Sequence, residues 1–237
     1  MSMNVEMIAY TVVNEARISS AFGGFQRLQG TDTDPDFLAE TAGRACYRSF
    51  NRPNPDTRHN YDYLNNVISK GHESVLAHAS VTFAIRGVSR NLTHEMIRSR
   101  FLAFSELSQR YVEPDDAYTV VPPALVAAGV TDFGALDENS KNNYALLKMT
   151  LENAGLSKKQ IREAARAVLP GGTETEIIVS GNIRAWRDFI KQRLSPMADA
   201  EIQALAYAIL ENLIVYCPNS VQDLAYLADE YVDRINE

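Results

Sequence analysis

The sequence is short of the residues that build metal and disulfide sites. Its 237 residues include two cysteines, Cys46 and Cys217, and four histidines, His59, His72, His78 and His94. Two thiols supply neither a disulfide framework nor a zinc cage. No HExxH or paired Cys/His motif joins the histidines, so no metal site is expected. No GxGxxG follows a strand-like run and no Walker loop is present, which removes the fingerprints of the dinucleotide fold and the P-loop. No apolar run is long enough for a spanning helix. The first ten residues carry only a short apolar patch, unlike a secretory signal. A cytoplasmic protein without a membrane partner is therefore expected. Basic excess is missing too: 30 acidic side chains against 23 basic ones leave a net charge of −7. A general nucleic-acid binder needs a basic face, so no nucleic-acid partner is expected.

What the chain does have is an ordinary globular composition, with 46% hydrophobic and 22% charged residues. That is enough to bury a sizeable core, as one large domain or two small ones. The arginines gather in two stretches: Arg86, Arg90, Arg98, Arg100 and Arg110, then Arg162, Arg166, Arg184, Arg187 and Arg193. Such clusters can hold a small anion against the overall charge.

Periodicity and punctuation predict a first strand over Val5 to Val13. A helix then opens at Asp34-Pro35, with Asp34 as N-cap, and runs through Cys46. A loop with two prolines covers Asn51 to Asp56. A second helix spans Asn60 to Lys70 and stops at Gly71. Ser80 to Ile85 alternates as a strand, and Ser89 caps a short helix reaching Arg98. Phe101 to Tyr111 has no helical period and reads as an extended loop leading into Pro114. Helices follow over Asp137 to Asn153, ended by Gly155, and from the capping box Ser157-x-x-Gln160 to Leu169. Pro170-Gly171-Gly172 breaks the latter before a strand over Thr173 to Ser180. Helices over Arg184 to Leu194, Ala198 to Tyr216 and Val221 to Val232 complete the chain. The βαβ rhythm is absent, so the class is α+β rather than a doubly wound sheet.

The informative stretch is Ser89 to Tyr111. On the predicted helix Arg90, His94 and Arg98 share one face at i, i+4 and i+8. Such a face is commonly just solvated. Here Arg98, Arg100, Ser108, Arg110 and Tyr111 fall within fourteen residues, with Glu106 and Gln109 among them. Guanidinium forks suit phosphate and uracil carbonyl oxygens because they donate paired hydrogen bonds and stay charged.

Arg98-Ser99-Arg100, seven residues, Ser108, then Gln109-Arg110-Tyr111 resembles the signature of the flavin-dependent thymidylate synthases. Four further stretches are similar to family segments: Gly43 to Tyr47, Gly71 to Ser80, Ala165 to Pro170 and Gly181 to Arg187. The resemblance covers residues 40 to 200. It implies a single-domain α+β subunit with mixed helices and a mainly antiparallel sheet, spanning residues 1–237 and assembling as a homotetramer with shared active sites. It implies FAD as cofactor, a pyrimidine nucleotide, dUMP, as substrate, methylenetetrahydrofolate as carbon donor and NADPH as reductant. The implied flavin set is Ser74, Arg98, Ser99, Arg100, Glu106, Asn182, Arg184 and Asp188. The implied nucleotide set is Glu95, Arg98, Glu106, Leu107, Ser108, Gln109, Arg110, Arg166 and Arg193. Catalytic roles fall to Arg193, whose fixed cation stabilises negative charge on the uracil ring, and to Ser108, as a phosphate donor and not a nucleophile.

The sequence departs from the family pattern at Ser99, where a histidine is usual, at Ala77 and Met197, and at Asp188, where an acid is unusual. A serine at position 99 donates a hydrogen bond but does not stack on a flavin. These departures leave two alternatives open. One is a related C5-modifying enzyme that accepts UMP or transfers a hydroxymethyl group. The other is a non-catalytic nucleotide or flavin binder. Outside the motif, structural readings prevail. Trp186 reads as core, Cys46 and Cys217 as buried small residues, and His78 as a satisfied structural histidine. Asp199 and Glu201 read as surface charges, and Leu205, Ile209 and Leu213 as a packing stripe. His72 is open between a helix-end role and a flavin contact. Tyr47 and Tyr111 are open between packing and the site.

Overall fold

The computed structural model describes residues 3–27, 33–52, 54–113 and 118–236. Pro53 and Pro114, two of the loop prolines, lie outside the described residues. In chain order the elements are β1 (Asn4–Tyr10), α1 (Glu15–Ala21), α2 (Asp34–Tyr47), α3 (Asn60–Ser69), β2 (Ser80–Ser89), α4 (Arg90–Met96) and β3 (Leu102–Glu106). They continue as α5 (Pro123–Ala127), α6 (Gly134–Asn153), α7 (Lys158–Ala165), β4 (Glu174–Asn182), α8 (Ile183–Arg193), α9 (Ala200–Tyr216) and α10 (Ala225–Asn236). The strands form one antiparallel sheet in the order β1-β2-β4-β3. The α+β class expected from the sequence is the class observed.

Local chemistry explains most boundaries. Two helices end in the motif in which a left-handed glycine lets the next two amides return to the last turn. After α3, Gly71 (φ 70°) donates to Ile68 and His72 to Val67. After α6, Gly155 (φ 75°) donates to Glu152 and Leu156 to Leu151. Ser89 accepts from the Leu92 amide at 3.0 Å and caps α4. The Ser157/Gln160 capping box opens α7 as expected. On β2, Val81, Phe83 and Ile85 are buried while Arg86 is exposed, the alternation of a strand with one covered face.

Four expectations are corrected. Asp34 is the first residue of α2 and not its cap; Thr33 holds the cap position. The Asp34 carboxylate is drawn away by Arg27 and by the Val13 amide. Residues 102–106, read as loop, form β3. Its pairing with β4 supplies the order that its own alternation does not signal. Cys46 is exposed, whereas Cys217 is buried. The helices α1 and α5 were not anticipated; neither buries a residue, so neither leaves an apolar period in the sequence.

By packing, the chain divides into two compact units, with boundaries inside the strands. The first contains Ala84–Arg98 and Phe104–Ile178. Its interior includes Ile85, Val88, Leu92, Met96, Tyr144 and Ile161. The second contains Val5–Phe83, Ser99–Ala103 and Val179–Glu237. Trp186 is fully buried there, edge-on to Phe83 and Phe189 at centroid distances of 5.1 and 5.9 Å, and its indole N–H donates to the Val81 carbonyl. Each such aromatic pair adds about 0.5–1.5 kcal/mol beyond area burial. The stripe Leu205, Ile209 and Leu213 lies buried along α9, as expected.

In the second unit α2 crosses α3 at Gly43. A Cβ placed on Gly43 would lie 2.3 Å from the Tyr63 hydroxyl and 3.1 Å from its ring. Tyr63 is buried, with the Arg44 guanidinium 4.6 Å from its ring centroid, so the ring has little room to retreat. Gly43→Ala is expected to lower unfolding free energy by about 1–3 kcal/mol, the usual cost of overpacking. A denaturant melt reads this, and an unchanged midpoint would contradict the tight crossing.

Candidate functional site

In the first unit lie all but Arg193 of the residues expected to hold a nucleotide, and Ser108, Gln109 and Arg110 among them stand on a turn. β3 delivers the chain to Leu107, whose amide donates to the Glu176 carbonyl on β4 at 3.0 Å. The Tyr111 and Val112 amides then both donate to the Ser108 carbonyl at 3.0 Å, so Ser108 to Val112 closes as a turn. The turn is held at its entry by Arg90. One Arg90 nitrogen donates to the Leu107 carbonyl at 3.3 Å, and the guanidinium pairs with Glu106 at 3.4 Å. Glu106 also accepts from the Thr93 hydroxyl at 2.8 Å. The Arg90–His94–Arg98 face expected from the sequence is not continuous. α4 ends at Met96, and Arg98 lies beyond a tightened last turn in which its amide donates to Glu95.

The exit of the turn is held from α6 and α7. Glu113 pairs with Lys148 on α6 at 2.6 Å and with Arg162 on α7 at 2.9 Å. The same Arg162 donates to the Tyr111 carbonyl at 3.2 Å. Hydrogen bonds from Lys148 and Arg162 hold the Glu113 carboxyl below the usual carboxylate value. Arg166 follows Arg162 by four residues, one helical turn further along.

Five arginines of this unit therefore fall into two groups. Arg90 and Arg162 are committed to Glu106 and Glu113. Arg98, Arg110 and Arg166 have no hydrogen-bond or ion-pair partner for their guanidinium groups among the described residues. Arg110 touches only the Tyr111 ring, 5.5 Å from its centroid. Glu95, Ser108 and Gln109 are half-buried beside them in sequence. Arg110 stands on the anchored turn itself, and unpaired guanidinium groups can bind a compact anion such as a phosphate. A cavity of about 400 Å³ in the same unit is lined by Glu106 and Leu107 together with Arg86, Glu176 and Ile178.

The second unit carries most of the expected flavin set. Ser74, Arg100, Arg184 and Asp188 are exposed, and Ser99 is half-buried. Arg184 and Asp188 share a face of α8, and Asp188 accepts from Gln192 at 2.9 Å. Asn182 spends its carbonyl oxygen capping α8, accepting from the Ala185 amide at 2.8 Å. Its amide NH₂ remains as a donor. Arg193 ends α8, half-buried. Met197, at a point of departure from the family pattern, is 93% exposed.

Arg187 is a correction. It was grouped with the anion-binding arginines, but its side chain is fully buried and bound to protein carboxylates. It reaches Asp223 at 2.6 Å, Glu73 at 3.2 Å and the Ser220 carbonyl at 2.7 Å. Lys191 adds a second contact to Glu73 at 3.1 Å. The sequence held a signal for this: Arg187 follows Trp186 on the buried face of α8, whereas Arg184 and Asp188 lie on the exposed one. Glu73 immediately precedes Ser74, so the buried arginine anchors the segment that carries a candidate flavin contact. Glu73, Glu113 and Asp223 were not singled out in the sequence, because a carboxylate that anchors an arginine leaves no local pattern.

Burial alone would raise the Glu73 and Asp223 carboxyls, but the Arg187 charge and hydrogen bonds override it and both titrate below their ordinary values of 4.5 and 3.8. Carboxyls whose folded values are depressed give stability that is complete above the ordinary values and is lost as pH falls through the depressed ones. Arg187→Met is expected to cost about 2–4 kcal/mol at neutral pH, less than for a fully buried pair because the acids are 23% and 33% exposed. The difference from wild type should shrink below about pH 4 as the carboxylates protonate. Thermal melts across pH 3 to 7 (about one melt per unit) check both; a pH-independent difference would contradict the ion-pair account.

Comparison with known proteins places the chain in a family. The family model described as thymidylate synthase complementing protein matches residues 27–219. A flavin-dependent thymidylate synthase of Mycobacterium sp. (strain KMS) is 48% identical over 194 residues, covering 76% of each chain. One from Mycobacterium marinum is 48% identical over 203 residues, 79% of each chain. A probable flavin-dependent thymidylate synthase of Mycobacterium phage D29 is 44% identical over 229 residues, 94% of this chain and 96% of the relative. The present chain belongs to the flavin-dependent thymidylate synthase family. Among the described residues no helix is long and apolar enough to cross a membrane, and no cluster of His, Cys, Asp and Glu could hold a metal ion.

Proposed function

We propose that this protein converts dUMP to dTMP by methylating uracil C5, with FAD as cofactor, methylenetetrahydrofolate as carbon donor and NADPH as reductant. The observation that carries the reading is the set of unpaired guanidinium groups, Arg98, Arg110 and Arg166, in the unit that holds the anchored Ser108 turn. In a chain of net charge −7, cations left without carboxylates are costly to gather unless an anion joins them. A nucleotide monophosphate supplies that anion, and the Ser108 hydroxyl adds a neutral donor. The family's sharing of sites between subunits of a homotetramer, in the cytoplasm, is part of the same proposal, as is the single-domain subunit.

The donor set of the second unit fits a flavin dinucleotide. Arg100 and Arg184 are exposed and have no partners among the described residues, which suits a pyrophosphate. Ser74 and the Asn182 amide offer neutral hydrogen bonds to a ribose or ring edge. Ser99 offers a hydroxyl where the family pattern has an aromatic ring, so this residue would hold a flavin by a hydrogen bond rather than by stacking. When bound, FAD supplies the electron transfer that the side chains do not. The role of Arg193 is electrostatic: a fixed cation at the uracil edge stabilises negative charge on the ring and makes C5 more nucleophilic. Ser108 holds the phosphate and forms no covalent bond.

The test is an anaerobic assay with FAD, NADPH, methylenetetrahydrofolate and either dUMP or UMP, with products identified by mass. A methyl-sized gain on dUMP alone is expected. Equal gain on UMP would assign a broader C5-modifying activity, and bound flavin with no gain on either would assign a non-catalytic binder. Arg193→Ala is expected to lower kcat by about a hundredfold or more while leaving the fold and flavin binding in place. Wild-type kcat in that variant would remove Arg193 from the mechanism.

A further inference from the structure

We infer that Glu113, Arg162 and Lys148 form a brace that sets the geometry of the substrate-phosphate turn, making Arg162 and Glu113 positioning residues for nucleotide binding; this rests on the proposed dUMP site. Three contacts carry it. Arg162 donates to the Tyr111 carbonyl at 3.2 Å, at the last residue of the Ser108–Gln109–Arg110–Tyr111 motif. It also donates through two nitrogens, at 2.9 and 3.2 Å, to a single Glu113 oxygen, Oε1, which holds the guanidinium edge against the carboxylate. Lys148 closes the other Glu113 oxygen at 2.6 Å.

Each part has a separate consequence. The turn amides at Tyr111 and Val112 are both spent on the Ser108 carbonyl, so the turn has an internal shape but needs external fixing to face a ligand. Arg90 fixes its entry at the Leu107 carbonyl. Arg162 fixes its exit. Because Arg162 and Arg166 lie four residues apart at the end of α7, the contact that pins Tyr111 also sets the register of α7, and hence of Arg166, against the turn. Glu113 keeps Arg162 in place and neutralises it, so that this arginine does not compete with Arg110 and Arg166 for the substrate phosphate. Lys148 prevents Glu113 from swinging toward those unpaired arginines and occupying the anion site itself. The three side chains are only partly exposed, at 22–32%, so solvent screens the pairs incompletely.

The test compares wild type with Glu113→Gln, which keeps the shape and removes the charge, and with Arg162→Met, which removes the tether to Tyr111. The readouts are dUMP affinity by calorimetry on the flavin-loaded protein, KM and kcat for dUMP, and FAD affinity by flavin fluorescence. Both variants are expected to weaken dUMP binding and raise KM by about tenfold, with kcat at saturation changed by less than about twofold and FAD affinity unaltered. Arg162→Lys, which restores a cation without the paired nitrogens, is expected to recover only part of the loss. A general structural defect would instead lower the melting temperature, FAD affinity and kcat together, and that pattern would overturn the brace. So would wild-type dUMP affinity in folded Glu113→Gln, which decides the matter if Arg162→Met fails to fold. Absence of dUMP binding in the wild type would instead overturn the proposed substrate.

Discussion

The pairing of arginines with carboxylates is the constraint on which the rest of the structure depends. The chain has more acids than bases, so cations that meet an acid are consumed. Arg44 is taken by Glu40, Arg90 by Glu106, Arg162 by Glu113 and Arg187 by Glu73 and Asp223. Apart from Arg44–Glu40, which lies within α2, these pairs tie segments that are distant in sequence, up to 114 residues for Arg187 and Glu73. A buried arginine is too costly to leave unpaired, and Arg187, fully enclosed, draws the 3₁₀ segment at Glu73–Ala77 and the stretch at Asp223 toward α8. Five arginines of the candidate sets, Arg98, Arg100, Arg110, Arg166 and Arg184, are left without such partners among the described residues. Charge segregation of this kind separates the cations that hold the fold from those that can hold a ligand.

The second group gives each unit its own candidate binding groups. Nothing in it resembles an activated nucleophile: the Ser108 hydroxyl lacks a hydrogen-bonded base, and the described residues hold no metal cluster. What it offers is fixed positive charge and neutral donors, which act by position and electrostatics. That is suited to a reaction in which a cofactor carries the redox step and the ring to be modified must be made electron-rich. The segments on which these cations stand are anchored by the paired arginines, so the two groups act together. Arg90 and Arg162 secure the two ends of the turn that carries Arg110, and Arg187 secures Glu73 beside Ser74.

Much of this was legible in the sequence, for reasons that differ by element. Helix ends were readable wherever a single residue has a distinct local job: Ser89 and Ser157 as caps, Gly71 and Gly155 as left-handed stops. β2 and β4 were readable from alternation, because one face of each is covered. β3 was not, since Leu102 to Glu106 owes its extended form to pairing with β4 and not to its own pattern. α1 and α5 were silent because they bury nothing. The site motif was visible as a run of arginines around Ser108, but sequence treats every arginine alike. Only the folded chain shows that Arg187 faces Asp223 while Arg184 faces solvent, or that Arg162 belongs to Glu113. Cys46 was misplaced because composition speaks to the average burial of a residue type and not to the face on which one copy lies.

The proposed role of Arg98, Arg110 and Arg166 in holding a nucleotide phosphate is tested most directly by titrating the flavin-loaded protein with dUMP and, separately, with deoxyuridine, which presents the same base and sugar without the phosphate. The account predicts that dUMP binds at least about a hundredfold more tightly, the difference expected when charge-assisted hydrogen bonds of about 1.5–3 kcal/mol each are lost, and that the preference narrows as salt is raised. Equal affinity for the two, or a preference indifferent to salt, would contradict it.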